Sequence, residues 1–131
     1  MKIDNEQRGF VLENNLILDK SKAFAVRIIK FYKYLCEEKK EFVLAKQILR
    51  SGTSIGANAR ESKNAQSKAD FIHKLSISLK EADETAYWLE LLIESDIVQE
   101  KQVHDLYEAN IELIKIMTAI IKTSKKGGKN N

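Results

Sequence analysis

Hydrophobic residues recur at helical spacing along most of the chain, in four segments separated by short polar runs. The segments span residues 17–38, 42–62, 67–95 and 99–124. The third is the clearest, because its apolar and small residues repeat at alternating steps of four and three over six intervals: Phe71, Leu75, Ser78, Ala82, Thr85, Leu89 and Leu92. The pattern predicts an all-α protein, an antiparallel up-down-up-down four-helix bundle over residues 1–124. Residues 125–131 are basic and rich in glycine and asparagine, and we expect a disordered tail there.

The first and fourth segments supply matching core faces. In the first, the face is formed by Phe24, Ile28, Phe31, Tyr32 and Leu35. In the fourth, it is formed by Val103, Leu106, Tyr107, Asn110, Ile114, Met117 and Ile121. An asparagine within a core face must be hydrogen-bonded and more often fixes helix register than performs chemistry, so we expect this role for Asn110. Ser67, followed by Asp70, is typical of an N-cap at the start of the third helix.

The second segment contains two glycines, Gly52 and Gly56, which could interrupt its helix. Each interior glycine costs about 1 kcal/mol relative to alanine, so a break is one interpretation. The two glycines are four residues apart on the apolar face, close to Ala45 and Ala59, where they would let a neighbouring helix approach. We therefore favour a continuous helix. A phosphate-binding glycine loop is excluded, because no Gly-Lys-Ser/Thr follows and no strand precedes.

Two further apolar stripes lie outside these core faces. One consists of Ile77, Trp88 and Leu91 in the third segment, and the other of Ile116 and Ile120 in the fourth. A helix of a monomeric bundle needs one apolar face, so each extra stripe must be covered by another element, a subunit or a ligand. They predict a homo-oligomer with these five residues at its interface.

Composition narrows the class of protein. The chain of 131 residues has no proline and five glycines, which removes most helix breakers. Its single cysteine, Cys36, cannot form an internal disulfide and indicates a reducing compartment. No run of 18 apolar residues and no apolar N-terminal leader is present. We expect a cytoplasmic protein without a membrane partner.

Charge is segregated along the chain although the net charge is only +3. Residues 20–80 carry 14 Lys or Arg and 5 Asp or Glu, whereas residues 81–112 carry 1 and 10. The surfaces that result could bind polyanions, pair between subunits, or simply be solvated. Rows of cations on the first two helices are candidates for contacts with RNA or DNA phosphates: Lys20, Arg27, Lys30, Lys46, Arg50, Arg60 and Lys63. Aromatic residues are missing from these rows, so base stacking is not indicated.

The residues that usually perform catalysis form no recognisable constellation. His73 and His104 lack the Glu-x-x-His spacing of bundle metal sites. Cys36 has no local histidine and is expected to be a small buried thiol. We therefore predict no catalytic residue, no metal and no cofactor, and a protein that is not an enzyme.

Two segments carry a resemblance to a known family. Residues 50–62, RSGTSIGANARES, resemble the R-x-x-x-S-I-x-x-N-I-A-E-G segment of the bacterial four-helix bundle proteins encoded in 23S rRNA intervening sequences, once labelled S23 ribosomal proteins. Asp70-Phe71 and residues 78–85, SLKEADET, resemble that family's E-F-x and S-L-x-E-L-E-T stretches. The chain departs from the pattern at Ala59-Arg60, Ser62 and Ala82.

The resemblance covers roughly residues 15–122. It implies a ring-like homopentamer of four-helix bundles without known enzymatic activity. The family is also similar to the accessory variability determinant proteins of diversity-generating retroelements, which are basic pentamers that engage nucleic acid. Two functions follow as hypotheses. The first is a homo-oligomer that associates with RNA or DNA through its basic helix faces. The second is a protein-interaction or scaffold module that uses the second apolar stripe and the acidic residues 81–112.

Overall fold

Four antiparallel helices form the bundle predicted from the sequence. A computed structural model describes residues 5–128, and the side chains of residues 14–126. The helices are α1 (Asn5–Glu37), α2 (Val43–Ser62), α3 (Lys68–Glu94) and α4 (Glu100–Gly128). Each helix packs against two neighbours, with α1 and α3 diagonally opposed. The described part of the chain contains no strand, which confirms the all-α class. None of these helices has an apolar stretch of the length that a membrane crossing requires.

Two helices are longer than their apolar patterns predict. α1 begins at Asn5 instead of residue 17, and Ile17, at the predicted start, is already fully buried. α4 continues to Gly128, so the first part of the predicted disordered tail is helical, and residues 129–131 lie outside the described residues. Buried Ser124 supports this last stretch, since its hydroxyl donates to the Ile120 carbonyl at 2.8 Å. Cations in the final turn also favour the helix dipole.

The core consists of one heptad seam from each helix. In α3 every predicted seam residue from Leu75 to Leu92 is buried, and Phe71 is half-buried. In α4 the buried seam positions repeat at three and four residues: Val103, Leu106, Asn110, Leu113, Met117, Ile120 and Ser124. Ile121, beside this seam, is also buried, as its place on the predicted core face indicates. Leu113 therefore takes the core position that the sequence pattern gave to Ile114, which is half-buried.

α2 is continuous through both glycines, which confirms the interpretation favoured from the sequence. A Cβ atom on Gly52 would lie 2.7 Å from Cγ1 of Ile28 on α1. One on Gly56 would lie 3.3 Å from the carbonyl oxygen of Ser21. The glycines thus set the close approach of α1 and α2, and they fix an antiparallel register with Ile28 beside Gly52 and Ser21 beside Gly56.

The connections are short and capped. Lys40 (φ 53°) and Asp96 (φ 63°) adopt left-handed backbone conformations in the turns after α1 and α3. Glu41 caps α2, because its carboxylate accepts from the amides of Val43 (3.1 Å) and Leu44 (3.0 Å). Ser67 caps α3 as predicted, accepting from the Asp70 amide at 3.0 Å.

Candidate nucleic-acid interface

Arg50 is held within the chain by acidic residues of α3. Its guanidinium forms ion pairs with Glu81 (3.3 Å) and with Glu84, and it also donates to the side-chain oxygen of Gln47 at 3.2 Å. Glu84 in turn accepts from the indole N–H of Trp88 at 2.9 Å. The Arg50 charge is compensated locally, so it contributes less to an anion-binding surface than its sequence position indicates.

Lys20 is also paired, on the other side of the bundle. Its ammonium lies 2.6 Å from a carboxylate oxygen of Glu112 on α4. Both side chains remain largely exposed, and ion pairs of this kind are weak and screened by salt. This pair places the flank of α1 that carries Lys20 towards α4. Arg27, one heptad further along α1, lies on the same flank.

Five of the seven predicted cations are exposed and form no ion pair among the residues that the structure describes. They are Arg27, Lys30, Lys46, Arg60 and Lys63. All lie on α1 or on α2 and its exit, which are neighbours in the bundle. The seven residues do not form one patch, because Lys20 and Arg27 lie towards α4 and Arg50 towards α3. The unpaired set nevertheless gives the outer surfaces of α1 and α2 exposed positive charge.

A groove between α1 and α2 gathers part of this charge around a cavity of about 550 Å³. Arg60 and Lys63 line it together with Lys22, which the sequence analysis did not select. The other lining residues are mostly small or polar: Asn15, Leu18, Asp19, Ala25, Thr53, Gly56 and Ala57. The groove results from the same small residues that let the helices approach, because they leave space between the outer side chains.

The extra apolar stripes are partly covered within the protomer. Ile120 is fully buried and Ile116 is half-buried against the core, so the expectation that they form a separate outer strip is wrong. The reason is the length of α1. Lys20 lies beside Glu112, and the antiparallel turns of α1 that precede Lys20 run alongside the α4 segment that carries both isoleucines.

The α3 stripe is half-buried rather than exposed. Ile77, Trp88 and Leu91 each retain partial exposure, and Trp88 packs against the core. Its neighbour Tyr87 is 53% exposed and meets the Trp88 ring edge-on at a centroid distance of 5.2 Å. On α1, Val26 (48% exposed) and Ile29 (40% exposed) lie among the basic residues. These side chains, more than the α4 strip, are available to a partner.

Titratable groups give no indication of catalysis in the described residues. No three of the histidine, cysteine and acidic side chains there could hold a metal ion, and His73 and His104 are exposed. Cys36 is half-buried instead of fully buried. A hydrogen bond with Cys36 raises the pKa of Tyr32, and a hydrogen bond to Glu90, at 2.9 Å, raises the pKa of Tyr107. Both changes favour a neutral phenol at physiological pH.

The two motifs quoted from the sequence meet at one interface. Arg50 of the first pairs with Glu81 and Glu84 of the second. Below that pair, buried Thr85 donates its hydroxyl to the Ser51 hydroxyl at 2.9 Å. A third bond runs from the hydroxyl of buried Ser78 to the Ile55 carbonyl at 2.6 Å. Contacts between the two motifs therefore hold α2 against α3.

Comparison with known proteins agrees with this arrangement. The family model described as 23S rRNA-intervening sequence protein matches residues 13–119, which include both motifs, all of α2 and α3 and most of α1 and α4. The chain belongs to this family. No protein with a curated description matches it. The similarity to accessory variability determinant proteins stays a prediction.

A solved structure of the same family has a closely similar fold. It is the 1.70 Å crystal structure of a protein of unknown function from the S23 ribosomal protein family of Bacteroides thetaiotaomicron VPI-5482. It is 55% identical to this chain, with a TM-score of 0.82, and the match covers 84% of this chain and 98% of that one. The relationship shows the fold and the family.

Proposed function

We propose that the protein is a non-enzymatic homo-oligomer, a pentamer, that associates with RNA or DNA through cations of α1 and α2. The observation that carries the proposal is the set of five exposed cations without an ion-pair partner in the described residues. Unpaired cations release phosphate counterions on binding without first breaking an internal salt bridge. The family's association with an rRNA intervening sequence, which its name records, makes RNA the first nucleic acid to test.

The test is binding of a structured RNA, measured by fluorescence anisotropy across a salt series. Association through phosphates requires that the logarithm of the binding constant fall linearly with the logarithm of salt concentration, with a slope of about 0.7–0.9 per phosphate contacted. The test variant replaces the five unpaired cations with glutamine. We expect it to lose most of that slope.

A matched control removes the same charge from the other side of the bundle. Five exposed lysines of α3 and α4, none ion-paired in the described residues, are replaced with glutamine: Lys68, Lys80, Lys101, Lys115 and Lys122. The proposal requires this variant to keep the wild-type slope. Equal losses in both variants would show that only net charge matters, and no binding by the wild type at low salt would refute association with RNA.

Self-association is supported by the distribution of charge and apolar surface. α1 and α2 expose mainly cations, whereas the second half of α3 and the first half of α4 expose mainly acidic residues. Contacts between unlike faces of identical subunits generate closed rings when the rotation closes. Val26 and Ile29 supply exposed apolar area beside the basic residues. Light scattering should give five times the protomer mass of 15.0 kDa, and a monomer would contradict the proposal.

The protein-interaction alternative keeps one specific observation in its favour. Tyr87 is exposed beside Trp88 on the second half of α3, whose outer charged residues are acidic, and aromatic side chains of this kind are common at interface centres. If the protein binds no nucleic acid, a Tyr87→Ala variant that loses a co-purifying protein partner would favour this function.

A further inference from the structure

The α1–α2 groove brings together cations from both of its helices. Lys22 comes from α1, Arg60 from α2 and Lys63 from the exit of α2. None forms an ion pair within the described residues, and the one acidic side chain that lines the groove is Asp19. Cations therefore approach the cavity from both helices, which a solvated row on one helix would not achieve.

The lining of the groove selects among anionic ligands. No aromatic residue contributes to it. A base would therefore find no ring to stack on. An arginine, in contrast, matches a phosphate with two parallel N–H donors, and lysines add point charge. Asn15 adds a neutral hydrogen-bonding group, whereas the Thr53 hydroxyl already donates to the Leu49 carbonyl at 2.7 Å.

The shape of the groove favours a polymeric ligand over a small ligand that would be enclosed on all sides. The cavity of about 550 Å³ is an open trough between two helices and not a closed pocket. A ligand seated there can enter and leave along the helix axes. The backbone of one nucleic-acid strand has the required charge and continuity, and its bases can face solvent.

We propose that the α1–α2 groove seats the phosphodiester backbone of one nucleic-acid strand, with Arg60 as the bidentate phosphate ligand and Lys22 and Lys63 beside it. The inference rests on the proposed association with RNA and adds its location. It also predicts that Lys20 and Arg50, whose charges are paired with α4 and α3, contribute little.

The decisive experiment fills the groove without changing charge. Ala57 is exposed and lines the groove, so Ala57→Leu blocks it while adding no charge to either helix. Ala119→Leu is the matched control, because Ala119 is an exposed alanine of α4 outside the groove. We expect Ala57→Leu to weaken RNA binding by roughly tenfold or more, the loss of at least one charge-assisted contact, while Ala119→Leu binds like the wild type.

Paired charge variants provide an independent measure. The double variant Arg60→Gln/Lys63→Gln removes groove cations, and Lys30→Gln/Lys46→Gln removes two unpaired cations outside the groove. We expect the first pair to cost about tenfold more affinity than the second, because direct phosphate contacts are lost only there. Equal losses of affinity in the two double variants would contradict binding in the groove and indicate a diffuse basic surface.

The remaining outcomes separate the inference from the proposed function. If the wild type binds RNA with a steep salt slope but Ala57→Leu binds equally well, association with RNA stands and the groove is wrong. If inorganic phosphate at low concentration protects the wild type but not Ala57→Leu against thermal unfolding, and leaves RNA bound to the wild type, the groove holds free phosphate and the strand binds elsewhere. If Ala57→Leu changes the oligomer mass, the groove is a contact between subunits, which also overturns the inference.

Discussion

Replacing Gly52 with alanine tests how closely α1 and α2 approach. The new Cβ atom would lie 2.7 Å, 2.9 Å and 3.0 Å from Cγ1, Cγ2 and Cδ1 of Ile28. Two of those atoms are attached directly to the Ile28 Cβ, and a β-branched side chain in a helix has essentially one rotamer, so it cannot turn aside. Ile28 is fully buried, which leaves no solvent to move into. One of the helices must shift.

The expected magnitude is a difference between two opposing terms. Overpacking of a well-packed core costs about 1–3 kcal/mol. Removal of an interior helical glycine returns about 1 kcal/mol. We therefore expect Gly52→Ala to lower the free energy of unfolding by about 1 kcal/mol, although helix propensity alone predicts a gain of that size. Urea unfolding followed by circular dichroism measures the change, at one protomer concentration because self-association adds to stability.

Gly56→Ala is the matched control on the same helix. Its Cβ atom would meet Ser21 at 3.3–3.4 Å, a tight but tolerable distance, so we expect stability within about 0.5 kcal/mol of wild type. In the double variant Ile28→Ala/Gly52→Ala the obstructing atoms are absent, and the cost of Gly52→Ala should disappear. If Gly52→Ala is as stable as Gly56→Ala, or if its cost persists without the Ile28 side chain, the close approach is not the cause.

Three further predictions concern polar contacts between helices. Arg50→Gln should cost about 0.5–1 kcal/mol in urea unfolding and leave the RNA salt slope unchanged, because Arg50 is paired with α3; a lower slope would return it to the binding surface. Buried Asn110 donates to the Ala82 carbonyl at 2.9 Å, but its Oδ1 atom has no partner in the described residues. Asn110→Leu should therefore raise the free energy of unfolding by about 1 kcal/mol and broaden the NMR spectrum, because the helix register is less well specified. A large destabilisation would contradict this. The pKa of Tyr107 is raised by its hydrogen bond to Glu90, so the contribution of this bond to stability is complete below a pH of about 10 and is lost as pH rises through the folded pKa. Glu90→Gln should lower the pKa of Tyr107, measured by phenolate absorbance. An unchanged titration would contradict the assignment.

Helix number and order could be predicted from the sequence because the heptad spacing survives in every segment. It is clearest in α3, where the predicted seam and the buried residues coincide from Leu75 to Leu92. The core positions of α4 are less predictable. A helical wheel drawn at 100° per residue drifts from a 3.5-residue repeat, so it predicts Ile114 in the core where the supercoiled helix buries Leu113. That drift, with the early start of α1, also explains why Ile120 was placed outside the core.

The candidate site was less predictable, since a row of cations on one helix does not reveal what faces it. Arg50 and Lys20 have suitable positions on their own helices, yet each meets a carboxylate supplied by another helix. The sequence pattern does not indicate Lys22 as a candidate, because no feature of its own helix distinguishes it. Its importance comes from a groove that exists only once α1 and α2 pack through small residues.

The residues that identify the family are largely occupied with holding α2 to α3. Ser78 of the family pattern donates to the Ile55 carbonyl, and Thr85 of the pattern donates to the Ser51 hydroxyl, in buried hydrogen bonds. Such a fingerprint specifies a fold and leaves the ligand to residues outside it. Arg60 is one of these, because it stands where the family pattern has alanine. In the proposed groove, the cation with the best geometry for phosphate is therefore a departure of this chain from the family pattern and not one of the residues that carry the resemblance.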